Sequence, residues 1–231
     1  MMVISSVIVA FCFFVSSLVA PVAAHAHEGG EESGHLVHIE GTDPSEVVEE
    51  EPVVYKTFSS VDLSAAAKSL TVSFDKLTGI DASVKAKLEQ ARKLMAKVFA
   101  SREFWAAVAN HYYQRRKAFA DNDGLSNEEI YDLIQLGKEK HYGREDRVMN
   151  LALEAYYENS STVGYTYTRS KTIYINMKFY KNYSPAQMTR NLMHEWLHKT
   201  GFMHDQQSTA KRPYSVPYAV GAIVERLAKN I

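Results

Sequence analysis

The run Asn191-Leu192-Met193-His194-Glu195-Trp196-Leu197-His198-Lys199-Thr200-Gly201-Phe202-Met203-His204-Asp205 concentrates the residues of this chain that could do chemistry. His194 and His198 stand four apart. On a helix that spacing puts both on one face, so two imidazoles can aim at one point. Gly201 suits a sharp helix exit, because glycine takes the left-handed conformation at low steric cost. His204, three residues on, can then return to the same point. Three imidazole nitrogens at about 2.0–2.1 Å plus one water is the arrangement of a catalytic zinc site, whereas structural sites are closed by four protein ligands. Glu195 adjoins the first ligand and would face the water rather than the ion. Zinc lowers the pKa of its bound water to about 7. A carboxylate within reach can take that proton and pass it to a leaving amine.

H-E-x-x-H alone recurs by accident on surface helices. The added Gly201 and His204 bring the agreement to five defined positions, H-E-x-x-H-x-x-G-x-x-H, the pattern of the metzincin zinc peptidases. The stretch resembles that clan, and with Asp205 it looks most like the adamalysin-type form. The close resemblance covers residues 191 to 205. It implies an α+β fold of zincin type: one catalytic domain, a small sheet with an edge strand over the cleft, an active-site helix and a C-terminal helix. It implies a zinc-dependent endopeptidase in which His194, His198 and His204 bind Zn2+ and Glu195 is the general base.

The 231 residues suffice for one domain with a substantial core, and 46% apolar with 23% charged residues is ordinary for a soluble globular protein. The net charge of -1 hides an asymmetry. No charged residue precedes Glu28, and nine of the 27 acidic residues lie between Glu28 and Glu51 without a Lys or Arg. The rest carries 18 acidic against 26 basic residues, so an acidic segment precedes a basic body.

Residues 1–26 read as a secretory signal peptide, with an apolar run from Val3 to Ala20 and an Ala24-His25-Ala26 cleavage site. The rival is an uncleaved N-terminal anchor, since 18 apolar residues can just span a bilayer. After cleavage nothing would hold the chain to a membrane. The only cysteine, Cys12, lies in that run, so the mature chain would have no disulfide. That departs from adamalysin-type domains and fits an exported bacterial protein, secreted or periplasmic, better than an animal one. Residues 27–54 read as an acidic leader or linker holding His27, His35 and His38. An alternative is a pro-segment over a basic cleft, although no cysteine-switch motif is present. The peptidase domain would then be 55–231.

Within it, Thr71–Phe74 reads as a strand, and Asp81 or Ser83 caps a helix through Leu88, Ala91, Leu94, Met95 and Val98. Ser101 to Tyr113 reads as a second helix, with Phe104 and Trp105 in the core. Arg115-Arg116-Lys117 reads as a solvated helix face, and nothing else supports a nucleic-acid partner. Asp121-Asn122-Asp123-Gly124 is a turn rather than a calcium loop. Aligning Gly124 with the loop glycine puts Phe119 and Ile130 at ligand positions. Ser126 and Glu129 form a capping box for a helix to about Lys138. Val148 to Tyr157 is open between helix and strand. Val163–Thr168 and Thr172–Phe179 form a hairpin. The second run alternates Ile173, Ile175, Met177 and Phe179 with polar residues, so one face is buried. It resembles the zincin edge strand, with which an extended peptide substrate would pair. A plain sheet strand fits those residues equally well. Ser184-Pro185 opens the histidine helix.

No methionine follows Met203, so the family's Met-turn is absent in its usual form. Some metzincins carry S-x-M-x-Y there. Here stands Tyr214-Ser215-Val216-Pro217-Tyr218: if Tyr218 takes the place of that tyrosine, Val216 replaces the methionine and Tyr214 the serine. Tyr218 would then donate a hydrogen bond to the oxyanion. Tyr214 is the other candidate, and a packed aromatic is the plain alternative. Val220, Ile223, Val224 and Leu227 give a final helix. Two other functions stay open: a non-catalytic zinc-binding or buffering protein, and a degenerate peptidase scaffold serving as an interaction module.

Overall fold

Helix signals in the chain are local and strong, and the computed structural model places helices where they fall. It describes residues 36–40, 69–140, 143–167 and 169–231, all within the compact unit Gly34–Ile231. The segment read as a signal peptide, with Cys12 and His25, and the rest of the segment read as a leader, with His27 and His35, lie outside the described residues. Asp81 is the N-cap of α1 (Ala82–Phe99), its carboxylate accepting from the Val84 amide at 2.9 Å. Ser83 instead donates to Asp81. Ser101 caps α2 (Arg102–Ala109), and the Ser126–Glu129 capping box opens α3 (Asn127–Leu136). Gly137, at φ 64°, ends α3 in the left-handed conformation. The apolar positions of these helices, among them Leu88, Met95, Phe104 and Ile134, are buried in one core.

The fold is mixed α and β, with six α-helices and a small open sheet among the described residues. Its body has four strands: β2 (Thr71–Thr78), β5 (Val148–Tyr156), β6 (Thr162–Tyr167) and β7 (Thr172–Asn176). β3 (Lys138–Glu139) and β4 (Arg144–Glu145) form a separate ribbon. In the main sheet β2, β5 and β7 run parallel, and β6 is antiparallel to β7. A fifth strand, β1 (Leu36–Glu40), pairs antiparallel with the outer edge of β6, so the order is β1-β6-β7-β5-β2. A strand therefore stands inside the segment read as a polar leader. Val148–Tyr157, ambiguous in sequence, is the strand β5, buried residues alternating along it.

Two expectations are corrected here. Thr172–Phe179 is not an edge strand, because β7 lies between β5 and β6. Its extended run also stops at Asn176, whose side chain caps the short helix α4 (Met177–Tyr180) by accepting from the Lys178 amide. The edges of the described sheet are β1 and β2, and β6 lies between β1 and β7. Alternating apolar residues report a buried face and are silent about which neighbours flank the strand. Likewise α2 stops at Ala109, and Arg115-Arg116-Lys117 is exposed but not helical. Gln114 and Arg115 sit at positive φ in the turn that follows.

His111 stacks on Phe119, ring centroids 4.1 Å apart, and its buried Nε2 has no partner among the described residues. Burial pushes its pKa from 6.5 down to about 4. The unfolded chain takes up this proton near pH 6.5 and the folded chain only near 4. The stabilising contribution is thus complete above pH 6.5 and lost as pH falls toward 4, by about 3 kcal/mol. His111→Phe should flatten the acid limb of stability, read as urea midpoints at pH 7 and pH 4.5; an unchanged limb would exclude this ring as its source.

Candidate metal centre

The histidine helix is α5 (Pro185–Thr200). Ser184 and Gln187 close a reciprocal capping box and Pro185 fills the first turn, so the helix start is fixed. Met188, Leu192 and Trp196, four apart, are fully buried, and α5 packs chiefly against α6 (Val216–Ala228). Its end is a Schellman motif: the Gly201 amide donates to the His198 carbonyl and the Phe202 amide to the Leu197 carbonyl. Gly201 is at φ 113°. The chain reverses there and carries His204 back beside the helix.

The three sequence-predicted ligands come together. His194 Nε2 is 3.1 Å from His198 Nε2 and 3.1 Å from His204 Nε2. Two nitrogens that far apart, each about 2.0–2.1 Å from a common ion, subtend about 100° there and leave a fourth direction open. Hydrogen bonds on the far side of the rings fix the tautomers. His198 Nδ1 lies 2.7 Å from the Phe202 carbonyl and His204 Nδ1 2.8 Å from the Asp205 carbonyl. A carbonyl only accepts, so both Nδ1 atoms carry hydrogen and both Nε2 atoms are bare lone pairs. Lone pairs converging in a buried site repel unless a cation lies between them. Burial also holds all three rings neutral. It carries His194 well below its ordinary value, His198 to about 3, and His204 below its ordinary value; repulsion from neighbouring rings adds to burial at His194 and His198. A metal therefore displaces no proton at neutral pH. These three residues could hold a metal ion.

Glu195 is fully buried, and its Oε2 has no hydrogen-bond partner among the described residues. Burial raises its pKa well above the carboxylate range, countered in part by Asn191. A buried carboxylate oxygen without a protein partner is costly. One beside three converging imidazoles fits a site built for a cation and a water. Tyr218, in the first turn of α6, lies edge-on to His194 and His204, centroids 4.5 and 4.8 Å away. Its hydroxyl is buried and also without a protein partner among the described residues. Burial pushes that hydroxyl up to about 12, against the opposing pull of the Arg212 guanidinium, which stands 4.9 Å from the ring centre. Tyr214 packs instead with Tyr113 and His111. Of the two tyrosines, Tyr218 is the one against the histidines.

Asp205 is no ligand. Its carbonyl orients His204, and its carboxylate accepts from Thr209 at 2.7 Å and pairs with Lys211 at 3.4 Å. Lys211 also binds Asp121, tying the loop after His204 to the turn at residue 121.

Sequence reading missed the supports of α5. Glu139, 1% exposed, accepts from Trp196 Nε1 at 2.9 Å and pairs with Lys199, 2% exposed, at 3.3 Å. Lys199 also donates to the Asn150 carbonyl. Only an acid far from α5 in sequence marks this lock, so no local pattern reveals it. Lys199→Met leaves Glu139 buried without its cation and should cost about 3–5 kcal/mol. Lys199→Met with Glu139→Gln should recover much of that loss. Chemical denaturation checks both, and a loss under 1 kcal/mol for the single variant would contradict a tight lock.

No family model, curated protein or solved structure matches this chain. The geometry alone carries the functional reading.

Proposed function

We propose that this chain is a zinc-dependent endopeptidase of metzincin type. The observation that supports it is the convergence of three imidazole nitrogens beside a buried carboxylate with one oxygen unpartnered among the described residues. When bound, zinc would act as a Lewis acid and bring coordinated water to a pKa near 7. His194, His198 and His204 hold the ion. Glu195 takes the proton of the attacking water and returns it to the leaving amine. Tyr218, protonated throughout the physiological range, donates to the oxyanion. Glu195 favours catalysis over storage, because pure metal binding does not use a carboxylate that leaves the ion alone.

In this reading the rim strand of the cleft is β6, in place of the Thr172–Phe179 strand expected from sequence. An extended peptide pairs along its outer edge, where β1 now pairs. The leader thus competes with substrate, and a chain starting at Pro52 should cleave faster than one retaining residues 27–51. Equal rates would remove that role. Export follows from the signal segment, and N-terminal sequencing of the exported form should begin at His27. No described helix is long and apolar enough to cross a membrane.

The deciding experiment incubates the zinc-loaded chain with a denatured protein mixture and maps the new termini, with a chelated aliquot as control. Chelator-sensitive internal cuts support the reading. A chain that binds zinc and cuts nothing is a binding protein.

A further inference from the structure

We infer that Asn191 and Tyr180 form a positioning pair for Glu195, holding one carboxylate oxygen so that the other alone faces the reacting water. The inference rests on the catalytic reading of Glu195.

Asn191 lies one helical turn before Glu195, so the two share a face of α5. Its Nδ2 is 3.5 Å from Glu195 Oε1, a long contact of the kind that tightens when a catalytic site fills. Its Oδ1 accepts from the Tyr180 hydroxyl at 2.6 Å, and Tyr180 is fully buried. The two contacts agree on the amide's orientation. Flipping it would set Asn191 Oδ1 against the carboxylate oxygen. A third observation locks the amide in place. A Cβ built on Gly164 of β6 would stand 2.9 Å from Asn191 Oδ1 and 2.9 Å from the Tyr174 carbonyl. The rim strand therefore closes directly over this amide, and only glycine lets it do so.

The consequence is an asymmetric carboxylate. Oε1 is directed to Asn191, and Oε2 has no hydrogen-bond partner among the described residues. Without Asn191 the carboxylate loses its donor, and its terminal torsion is broad. Neither residue touches the metal ligands' nitrogens in the contacts above. The pair acts on the base alone.

The test uses the zinc-loaded full chain. Asn191→Leu, close in size, should lower kcat by about 10–100-fold with KM within about twofold. Zinc stoichiometry should stay at one per chain. Tyr180→Phe should lower kcat by about fivefold, and the double variant should be no slower than Asn191→Leu. A second readout is independent of turnover. The Glu195 carboxylate stretch, isolated by infrared difference against Glu195→Gln, should shift in Asn191→Leu, and to a lesser degree in Tyr180→Phe. If Asn191→Leu does not fold, Tyr180→Phe removes only a hydroxyl and carries both readouts. An unmoved band, or a kcat loss that tracks zinc loss, overturns the pairing. A shifted band in a chain that cuts no protein keeps the pairing and fails the peptidase reading instead.

Discussion

Glu195→Ala should keep its metal and lose its hydrolysis. The three imidazoles are oriented by carbonyls and by helix geometry, none of which involves the Glu195 side chain. Zinc content should therefore stay at one ion per chain. A positioned general base contributes about 10²–10⁴-fold, so kcat/KM should fall by that factor. Stability should move the other way. Glu195 is fully buried, and one of its oxygens lacks a partner among the described residues. Removing an unsatisfied buried acid relieves a cost, as expected where function is held at the expense of stability. The metal-free variant should melt at or above the temperature of the metal-free parent. Full cleavage activity in Glu195→Ala would refute the assigned role outright.

His204→Ala should abolish tight metal binding while leaving the helix intact. His194 and His198 remain on α5, but the third direction is empty. Losing a residue that merely supports a ligand costs metal affinity about 10–100-fold, so loss of a ligand should exceed about 100-fold. Bound metal stabilises by mass action, about 4 kcal/mol at a thousandfold excess over Kd. The parent's melting temperature should thus fall on chelation and the variant's should not. Gly201→Ala gives a graded version. It strains the backbone at φ 113° and sets a Cβ 2.7 Å from the flexible Lys140 side chain, so the return of His204 is disturbed without deletion of its ring. A His204→Ala protein that binds zinc as tightly as the parent would remove this residue from the ligand set.

The site was legible in sequence to the extent that it is local. The four-residue spacing of His194 and His198, the exit at Gly201 and the cap at Ser184 each depend on neighbours in the chain, and each is found as expected. The hairpin of β6 and β7 is local in the same sense. What failed depends on partners far away. Ile173 and Ile175 alternate as they would at an edge, yet β7 is internal because β5 arrives from the other side. The strand Leu36–Glu40 is masked by its acidic surroundings, because pairing needs only a free edge on β6. Asn191 sits four residues before Glu195 and its spacing alone could have marked it. Tyr180, which orients it, belongs to another helix. Tyr218 could not be separated from Tyr214 by spacing. The turn at Ser215 puts Tyr218 on α6, against the histidines.

The measurement that bears most directly on the proposed centre is X-ray absorption at the zinc edge of the purified, zinc-loaded chain, recorded beside its metal content. The expected result is one ion per chain, with three imidazole nitrogens and one further light atom at about 2.0–2.1 Å. Two imidazoles only, a fourth protein ligand closing the open direction, or several ions per chain would contradict it.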